Sequence, residues 1–183
     1  MRTIALLVAL SCLACEKNKK ESSEIAKQQN DEQFNTWEQK KEADFIVDAV
    51  AEHYASIRFA QLAMNKTSNP DIREVAATIE LDQSQKLKKF TGYANKKGIS
   101  VPNEENESAK DKLNELANQQ RTEFEEKWCK DLAKRNERDI QTFESMWEKT
   151  SDGELKDLIN EALPEMRTHL VKLRSCQEKL AMN

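Results

Sequence analysis

Apolar residues recur every three or four positions along four long stretches of the chain, which is the period of an α-helix that buries one face. The stretches run from about Glu42 to Lys66, Asp71 to Lys97, Thr122 to Thr150 and Glu154 to Met182. The predicted inward positions are, helix by helix, Phe45, Ala49, His53, Ile57, Ala60 and Met64; Ile72, Val75, Ile79, Gln83, Leu87 or Lys86, Phe90 and Ala94; Phe124, Trp128, Leu132, Asn136 or Arg135, Asp139, Phe143 and Met146; and Leu155, Ile159, Ala162, Met166, His169, Leu173, Cys176 and Leu180. The pattern predicts an all-α protein.

Turn-forming residues separate these stretches. A helix cannot continue through Pro70, and the proline pushes Asn69 out of the α region. Gly98 follows two lysines, which is typical of a helix C-terminus, and residues 151–153 form a turn with its own N-cap. The polar connection after Gly98 contains a short predicted helix, Ala109–Gln119. Together these features predict an antiparallel four-helix bundle with a long middle connection that carries a short helix.

The composition supports this interpretation and excludes other classes. The 183 residues include three glycines and three prolines, and 34% are charged, so a many-turned β protein is excluded. The formal net charge is −4, and lysines and arginines alternate with acidic residues along most of the chain. No basic surface suited to nucleic acid is therefore predicted.

The first fifteen residues carry the pattern of an export signal. Arg2 is followed by an unbroken apolar run from Ile4 to Leu10, which is far shorter than the ~20 residues needed to span a bilayer. A cysteine behind a small residue then ends the segment, as in a bacterial lipoprotein signal. We expect lipidation at Cys15 (or Cys12). This predicts a periplasm-facing lipoprotein of the bacterial cell envelope, with the outer membrane favoured and the membrane as a partner through the lipid.

The domain organisation follows from these assignments. Residues 1–15 are the signal peptide with its lipoprotein cleavage region, and residues 41–183 form the four-helix domain. Residues 16–40 contain few large apolar side chains, namely Ile25, Phe34 and Trp37. Since so little surface can be buried there, we expect residues 16–40 to be a polar tether, with some helix near its end.

Polar residues interrupt the apolar face halfway along each predicted helix. Antiparallel pairing places His53 level with Gln83 in the first hairpin, and His169 level with Arg135 and Asn136 in the second. Other polar residues at this height are Ser56, Asp82 and Asp139. An unpaired polar group in a core costs ~1–3 kcal/mol, so these side chains must pair with each other, with water or with a metal.

Seven short motifs follow one another between about Ala43 and Leu180, namely Ala43–Val47, Arg58–Ala63, Asn69–Arg73, Leu81–Gln83, Lys96–Pro102, Phe124–Trp128 and Ala162–Leu170. In these motifs the chain resembles the DUF4142 family. Each motif is degenerate, but their order and spacing are similar to the family's. The resemblance implies an exported bacterial protein with a ferritin-like bundle, for which an activity is mostly not assigned.

The chain departs from this family at the polar mid-height positions. Family members commonly carry Asp-His pairs where this chain has Asp82-Gln83 and Arg135-Asn136, and acidic residues where it has Ser56 and Arg58. Of that polar set, Asp82 and His169 remain in place. A di-iron bundle needs several carboxylates and Glu-x-x-His pairs, and no such pair occurs in this sequence. Redox iron chemistry is therefore not expected.

Two interpretations of the remaining polar groups stay open. A mononuclear site is conceivable, since imidazole and carboxylate groups suit Zn or Mn. Its ligands would be His53, Asp82, Asp139 and His169. We favour the alternative, in which the two histidines form a hydrogen-bond network with Gln83 and Asn136, and we expect no metal and no cofactor.

The remaining chemistry lies in two cysteines. Cys129 and Cys176 are predicted to lie nearly level on neighbouring helices, and export would place them in an oxidising compartment where a disulfide can form. Two buried free thiols are the alternative. No Gly-x-Ser-x-Gly motif or phosphate-binding glycine loop occurs, so no catalytic residue is assigned.

These observations lead to one functional hypothesis and two rivals. The leading hypothesis is a non-catalytic, lipid-anchored envelope protein with an interaction or envelope-stress role, whose protein partner the sequence does not identify. The first rival is a metal-binding protein that uses the mid-bundle His and Asp groups. The second is a carrier with an apolar pocket between the helices.

Overall fold

The computed structural model describes residues 21–182, and within this range the protein consists of α-helices without a β-strand. The helices are α1 (Ser22–Gln33), α2 (Trp37–Lys66), α3 (Pro70–Lys97), α4 (Glu107–Ala117), α5 (Arg121–Lys149) and α6 (Gly153–Ala181). The predicted all-α class is confirmed, and each of the four long helices and the short middle helix overlaps its predicted stretch, although α2 begins earlier than predicted.

The helix ends follow the predicted local chemistry. The Asn69 side chain accepts hydrogen bonds from the amides of Asp71 and Ile72, while Pro70 occupies the first turn of α3. Gly98 ends α3 with φ of 71°, a left-handed conformation that an L side chain rarely adopts. These two caps fix where α3 begins and ends.

The four long helices pack side by side as a helical bundle. Contacts join α2 to α3, α3 to α6, α6 to α5 and α5 to α2, so the four enclose a common interior. Paired residues whose numbers rise along one helix and fall along its neighbour indicate antiparallel packing. Examples are Glu137–Arg174 and Glu144–Arg167 for α5 and α6, and Lys89–Glu161 and Lys96–Glu154 for α3 and α6.

The interior is divided into two apolar clusters. One contains Phe59, Phe124 and Trp128, whose indole N–H donates to the backbone oxygen of Phe59 at 2.9 Å. The other contains Phe90 and Phe143. The predicted polar level lies between these clusters, so the mid-height groups are enclosed by packed side chains above and below.

Residues 22–33 differ from the tether predicted for residues 16–40. They form α1, which packs along α2, and α2 itself begins at Trp37 rather than near residue 42. The contact surface of α1 is small but closely packed, since Ala26 is only 3% exposed. Small residues such as Ala26 add little to the count of large apolar side chains, so composition does not predict this packed face.

Asn30 fastens α1 to the loop after α3. It is 1% exposed, its amide nitrogen donates to the backbone oxygen of Ser100 at 2.9 Å, and its amide oxygen accepts from the Ser100 N–H at 2.8 Å. One side chain thus satisfies both backbone groups of a loop residue, which composition does not reveal.

The predicted signal peptide, residues 1–15, lies outside the described residues, together with Cys12 and Cys15. Within residues 21–182, none of the helices combines the length and the apolar character required to cross a membrane.

Candidate functional site

A small cavity with polar and apolar walls lies at mid-height between α2, α3, α5 and α6. Its volume is about 30 Å³. It is lined by Glu52, His53, Ser56, Ile79, Gln83, Leu132, Arg135, Asn136, Asp139, Phe143, Met166, His169 and Leu173. One water needs roughly 10–15 Å³ by this measure, whereas pockets for organic ligands occupy roughly 300–1,000 Å³. The cavity therefore has room for water or a single ion, and not for the cargo of a carrier.

His53 reaches the cavity from α2 with a defined hydrogen-bond pattern. Its side chain is buried, and Nδ1 lies 2.7 Å from Oε1 of Gln83 on α3. An amide oxygen only accepts, so Nδ1 carries the proton in the neutral ring and Nε2 keeps a free lone pair. Nε2 is buried and has no hydrogen-bond partner among the described residues. The predicted level pairing of His53 with Gln83 is confirmed.

The environment keeps His53 neutral. Burial lowers its pKa from 6.5 to about 4, and the nearby Lys86 charge acts in the same direction, against the hydrogen bond to Gln83. The ring packs edge-to-face against Phe90, with the centroids 4.8 Å apart. His53 is therefore a rigidly held, uncharged imidazole at neutral pH.

His169 repeats this arrangement from α6. It is 1% exposed, and its Nε2 lies 2.8 Å from a carboxylate oxygen of Asp82 on α3. Since a carboxylate accepts, Nε2 carries the proton and Nδ1 keeps the free lone pair. Nδ1 is also buried without a partner in residues 21–182. Burial lowers the pKa of His169, although the Asp82 hydrogen bond opposes this.

Two carboxylates and an arginine complete the polar wall. Arg135 on α5 binds both carboxylate oxygens of Glu52 on α2 at 2.6 Å, which is a bidentate ion pair. Burial, and then the charge of Glu52, raise the pKa of Asp139 above its ordinary range. Asn136 donates from its amide nitrogen to the backbone oxygen of Met166 at 2.8 Å.

Glu52 is a cavity residue that the sequence pattern did not predict. Hairpin geometry relates levels only between consecutive helices, whereas Glu52 and Arg135 pair across α2 and α5, which are not consecutive. The sequence does contain a signal for Glu52. It immediately precedes the inward residue His53 and therefore lies on an adjacent face of the same helix.

Three of the four candidate metal ligands line the cavity. His53, Asp139 and His169 line the same cavity, while Asp82 holds the outer nitrogen of His169 and does not line it. No three His, Cys, Asp or Glu side chains in residues 21–182 are grouped closely enough to hold a metal ion. With two histidines in the whole chain and no Glu-x-x-His pair, the residues present do not fit a ferritin-type di-metal centre.

Comparison with known protein families matches residues 20–175 to the domain of unknown function DUF4142. The chain belongs to this family. The match begins two residues before α1, so it includes residues 20–40 of the predicted tether. No curated protein and no solved structure matches the chain.

The two cysteines of this DUF4142 domain lie together between α5 and α6. Cys129 and Cys176 are both buried free thiols, and each influences the titration of the other. Interaction with Cys176, together with burial, raises the pKa of Cys129, while the same interaction lowers the pKa of Cys176. The disulfide stays a prediction.

Proposed function

We propose that this chain is a non-catalytic, lipid-anchored protein of the bacterial cell envelope. In this proposal Cys15 carries the lipid, the domain faces the periplasm from the outer membrane, and a ferritin-like four-helix bundle serves an interaction or envelope-stress role. The non-catalytic part of the proposal rests on the hydrogen bonds and ion pairs in which the mid-height polar groups are already engaged. Four of them hold another group in a fixed hydrogen bond or ion pair, namely Glu52, Gln83, Arg135 and Asn136.

The cavity also lacks the features of an active site for organic substrates. Its volume of about 30 Å³ excludes all but the smallest molecules, and the lining includes neither cysteine. A substrate would have to separate packed helices to reach His53 or His169, which are at most 4% exposed. Binding at the outer surface is a simpler role for such a domain.

Lipid anchoring can be tested with the full chain expressed in a bacterium that lipidates exported cysteines. The wild type and Cys12→Ser should incorporate a labelled fatty acid and sediment with membranes, whereas Cys15→Ser should not. The Cys12→Ser variant is the matched control, because it changes a signal cysteine that does not carry the lipid in this proposal. If the Cys12→Ser/Cys15→Ser double variant is still labelled, the anchoring proposal is wrong.

The non-catalytic part can be tested separately. Ferrous iron is mixed with the full chain in aerated detergent solution, and ferric iron is followed by absorbance. Iron should oxidise as slowly as in buffer with detergent, because the groups of a di-iron centre are missing. Acceleration that disappears in His169→Gln would refute the proposal.

A further inference from the structure

We propose that the corner between α1 and α2, which carries Trp37, docks into the interface of a phospholipid bilayer beside the lipid on Cys15. This inference rests on the proposed lipid anchor, and it adds which end of the bundle meets the membrane. The anchor alone does not select a surface, because a lipid holds the chain near the bilayer without orienting the domain. The exposure, the chemistry and the position of Trp37 make that selection.

Trp37 is the most exposed tryptophan of the chain. It is 66% exposed at the first position of α2, compared with 39% for Trp147 and 0% for Trp128. Tryptophan is a highly buried residue type on average, because its ring is among the largest apolar surfaces that a side chain carries. Its indole N–H also needs a polar partner, so tryptophan is enriched where apolar and wet regions meet, as at the surface of a bilayer.

The surroundings of Trp37 suit a bilayer interface. The Lys41 amine lies 5.7 Å from the centroid of the Trp37 ring, so an apolar ring and a cation are presented together. In an interface the ring enters the apolar boundary while the ammonium group reaches the phosphates of the head groups. The side chains of Thr36 and Gln39 form a reciprocal capping box with the backbone at the start of α2. The first turn therefore keeps these two hydrogen bonds when water is displaced.

The chain before α1 is long enough to place the lipid at this corner. Two ion pairs join α1 to α2 in antiparallel order, Asp31–Lys40 and Lys27–Asp48. The 12 residues of α1 span roughly 18 Å, so Ser22 lies about that far from the corner along the bundle axis. The seven steps from Cys15 to Ser22 extend to roughly 25 Å at most. The lipid and Trp37 can therefore lie in one membrane plane.

Trp147 lies at the same end of the bundle but at a different height. Thr150 donates a hydrogen bond to Glu42, so the end of α5 is level with the second turn of α2. Trp147 precedes Thr150 by three residues, Trp37 precedes Glu42 by five, and the two helices are antiparallel. At about 1.5 Å per residue, Trp147 is roughly 12 Å farther from this end than Trp37. A bilayer that takes up the corner thus reaches Trp37 and not Trp147.

The charges at this end do not favour a strongly anionic surface. Three of its lysines are already paired with carboxylates, in the pairs Lys40–Asp31, Lys96–Glu154 and Lys97–Asp152. Attraction to anionic lipid depends on unpaired basic side chains near the membrane. Docking is therefore expected to depend on the Trp37 ring, and zwitterionic vesicles are the appropriate probe.

The test uses the full chain, isolated from bacterial membranes with its lipid and added to preformed phosphatidylcholine vesicles. Bromine on the acyl chains quenches tryptophan emission on contact, and vesicles without bromine give the reference. Brominated vesicles should lower the emission of the wild type, and Trp37→Phe should lose this quenching. Trp147→Phe is the matched control and should be quenched as the wild type is. The buried Trp128 is a common background in all three proteins.

The anchor and the docking are read from different signals. Co-sedimentation with the vesicles reports the anchor, so a chain that stays in solution would refute the anchor and the docking together. A chain that sediments without quenching, or equal quenching in Trp37→Phe and the wild type, would overturn the docking and leave the anchor intact. If a variant loses its helical circular dichroism, the wild type alone decides. Its emission should shift to shorter wavelengths on unbrominated vesicles, and an unchanged spectrum would contradict the docking.

Discussion

Acidification should destabilise the domain through His53. In the unfolded chain this histidine titrates near its ordinary pKa of 6.5, whereas in the folded protein burial lowers the pKa to about 4. The unfolded state therefore binds a proton more readily than the folded state between these two values. The stability that comes from keeping the ring neutral is complete above about pH 6.5, falls as the pH drops, and is lost below about pH 4.

The magnitude follows from the difference between the two pKa values. In the acid limit it corresponds to about 3 kcal/mol, and by about pH 5 roughly 2 kcal/mol should already be lost. His169 contributes in the same direction, because burial lowers its pKa as well. Asp139 opposes both, since a raised carboxyl pKa gives stability that disappears as the pH rises. The slope of the wild type alone is therefore a sum of opposing contributions.

A comparison with His53→Gln isolates the contribution of His53. Glutamine does not titrate, while His169 and Asp139 remain in both proteins. Urea unfolding of the full chain is followed by tryptophan fluorescence at about pH 7 and about pH 5, with a chelator present. The wild type should lose about 2 kcal/mol more than the variant over this interval. Equal losses in the two proteins would refute the claim that burial suppresses protonation of His53.

Three further predictions concern other parts of the molecule. Asn30→Ala removes both hydrogen bonds to Ser100 and leaves its backbone groups unsatisfied, at a cost of ~1–3 kcal/mol. The amides of α1 should therefore exchange with deuterium at least about tenfold faster. The exchange of the α5 amides should be unchanged. Gly98→Ala should lower the free energy of unfolding by about 1 kcal/mol because φ is 71° there, whereas Gly92→Ala, in an open helical position, should not lower it. Mass spectrometry of protein isolated from the envelope under alkylating conditions should find Cys129 and Cys176 joined, and quantitative alkylation of both thiols under denaturing conditions would contradict the disulfide.

The long helices and their relative levels could be predicted from the sequence because they depend on local and periodic signals. The inward spacing identified the buried faces of α3 and α6, and Pro70 and Gly98 fixed the ends of α3. Antiparallel pairing then placed His53 opposite Gln83, which the structure confirms at 2.7 Å. These predictions need only helix geometry and the positions of turns.

Contacts between elements that are distant in sequence could not be obtained in this way. The Glu52–Arg135 ion pair joins α2 to α5, and the surroundings of the two unsatisfied histidine nitrogens depend on how four helices converge. The docking of α1 was not predicted for a related reason. It rests on Ala26 and on the hydrogen bonds between Asn30 and Ser100, and neither a small side chain nor an amide contributes to a recognisable apolar stripe.

The docking of α1 limits how far the bundle of an anchored form of this protein can lie from the membrane. If residues 16–40 were a free tether, a lipid on Cys15 could lie up to roughly 90 Å from the start of the bundle at 3.3–3.6 Å per residue. Because α1 packs against the bundle from Ser22 onward, the largest distance between a lipid on Cys15 and the docked chain falls to roughly 25 Å. This is about half the ~45 Å length of α2. An anchored bundle would then stay against the membrane, and a partner would have to meet it there. Asn30→Ala should lengthen this reach, so fluorescence transfer between a dye on the bundle and labelled lipid should weaken in that variant and remain unchanged in Gly92→Ala.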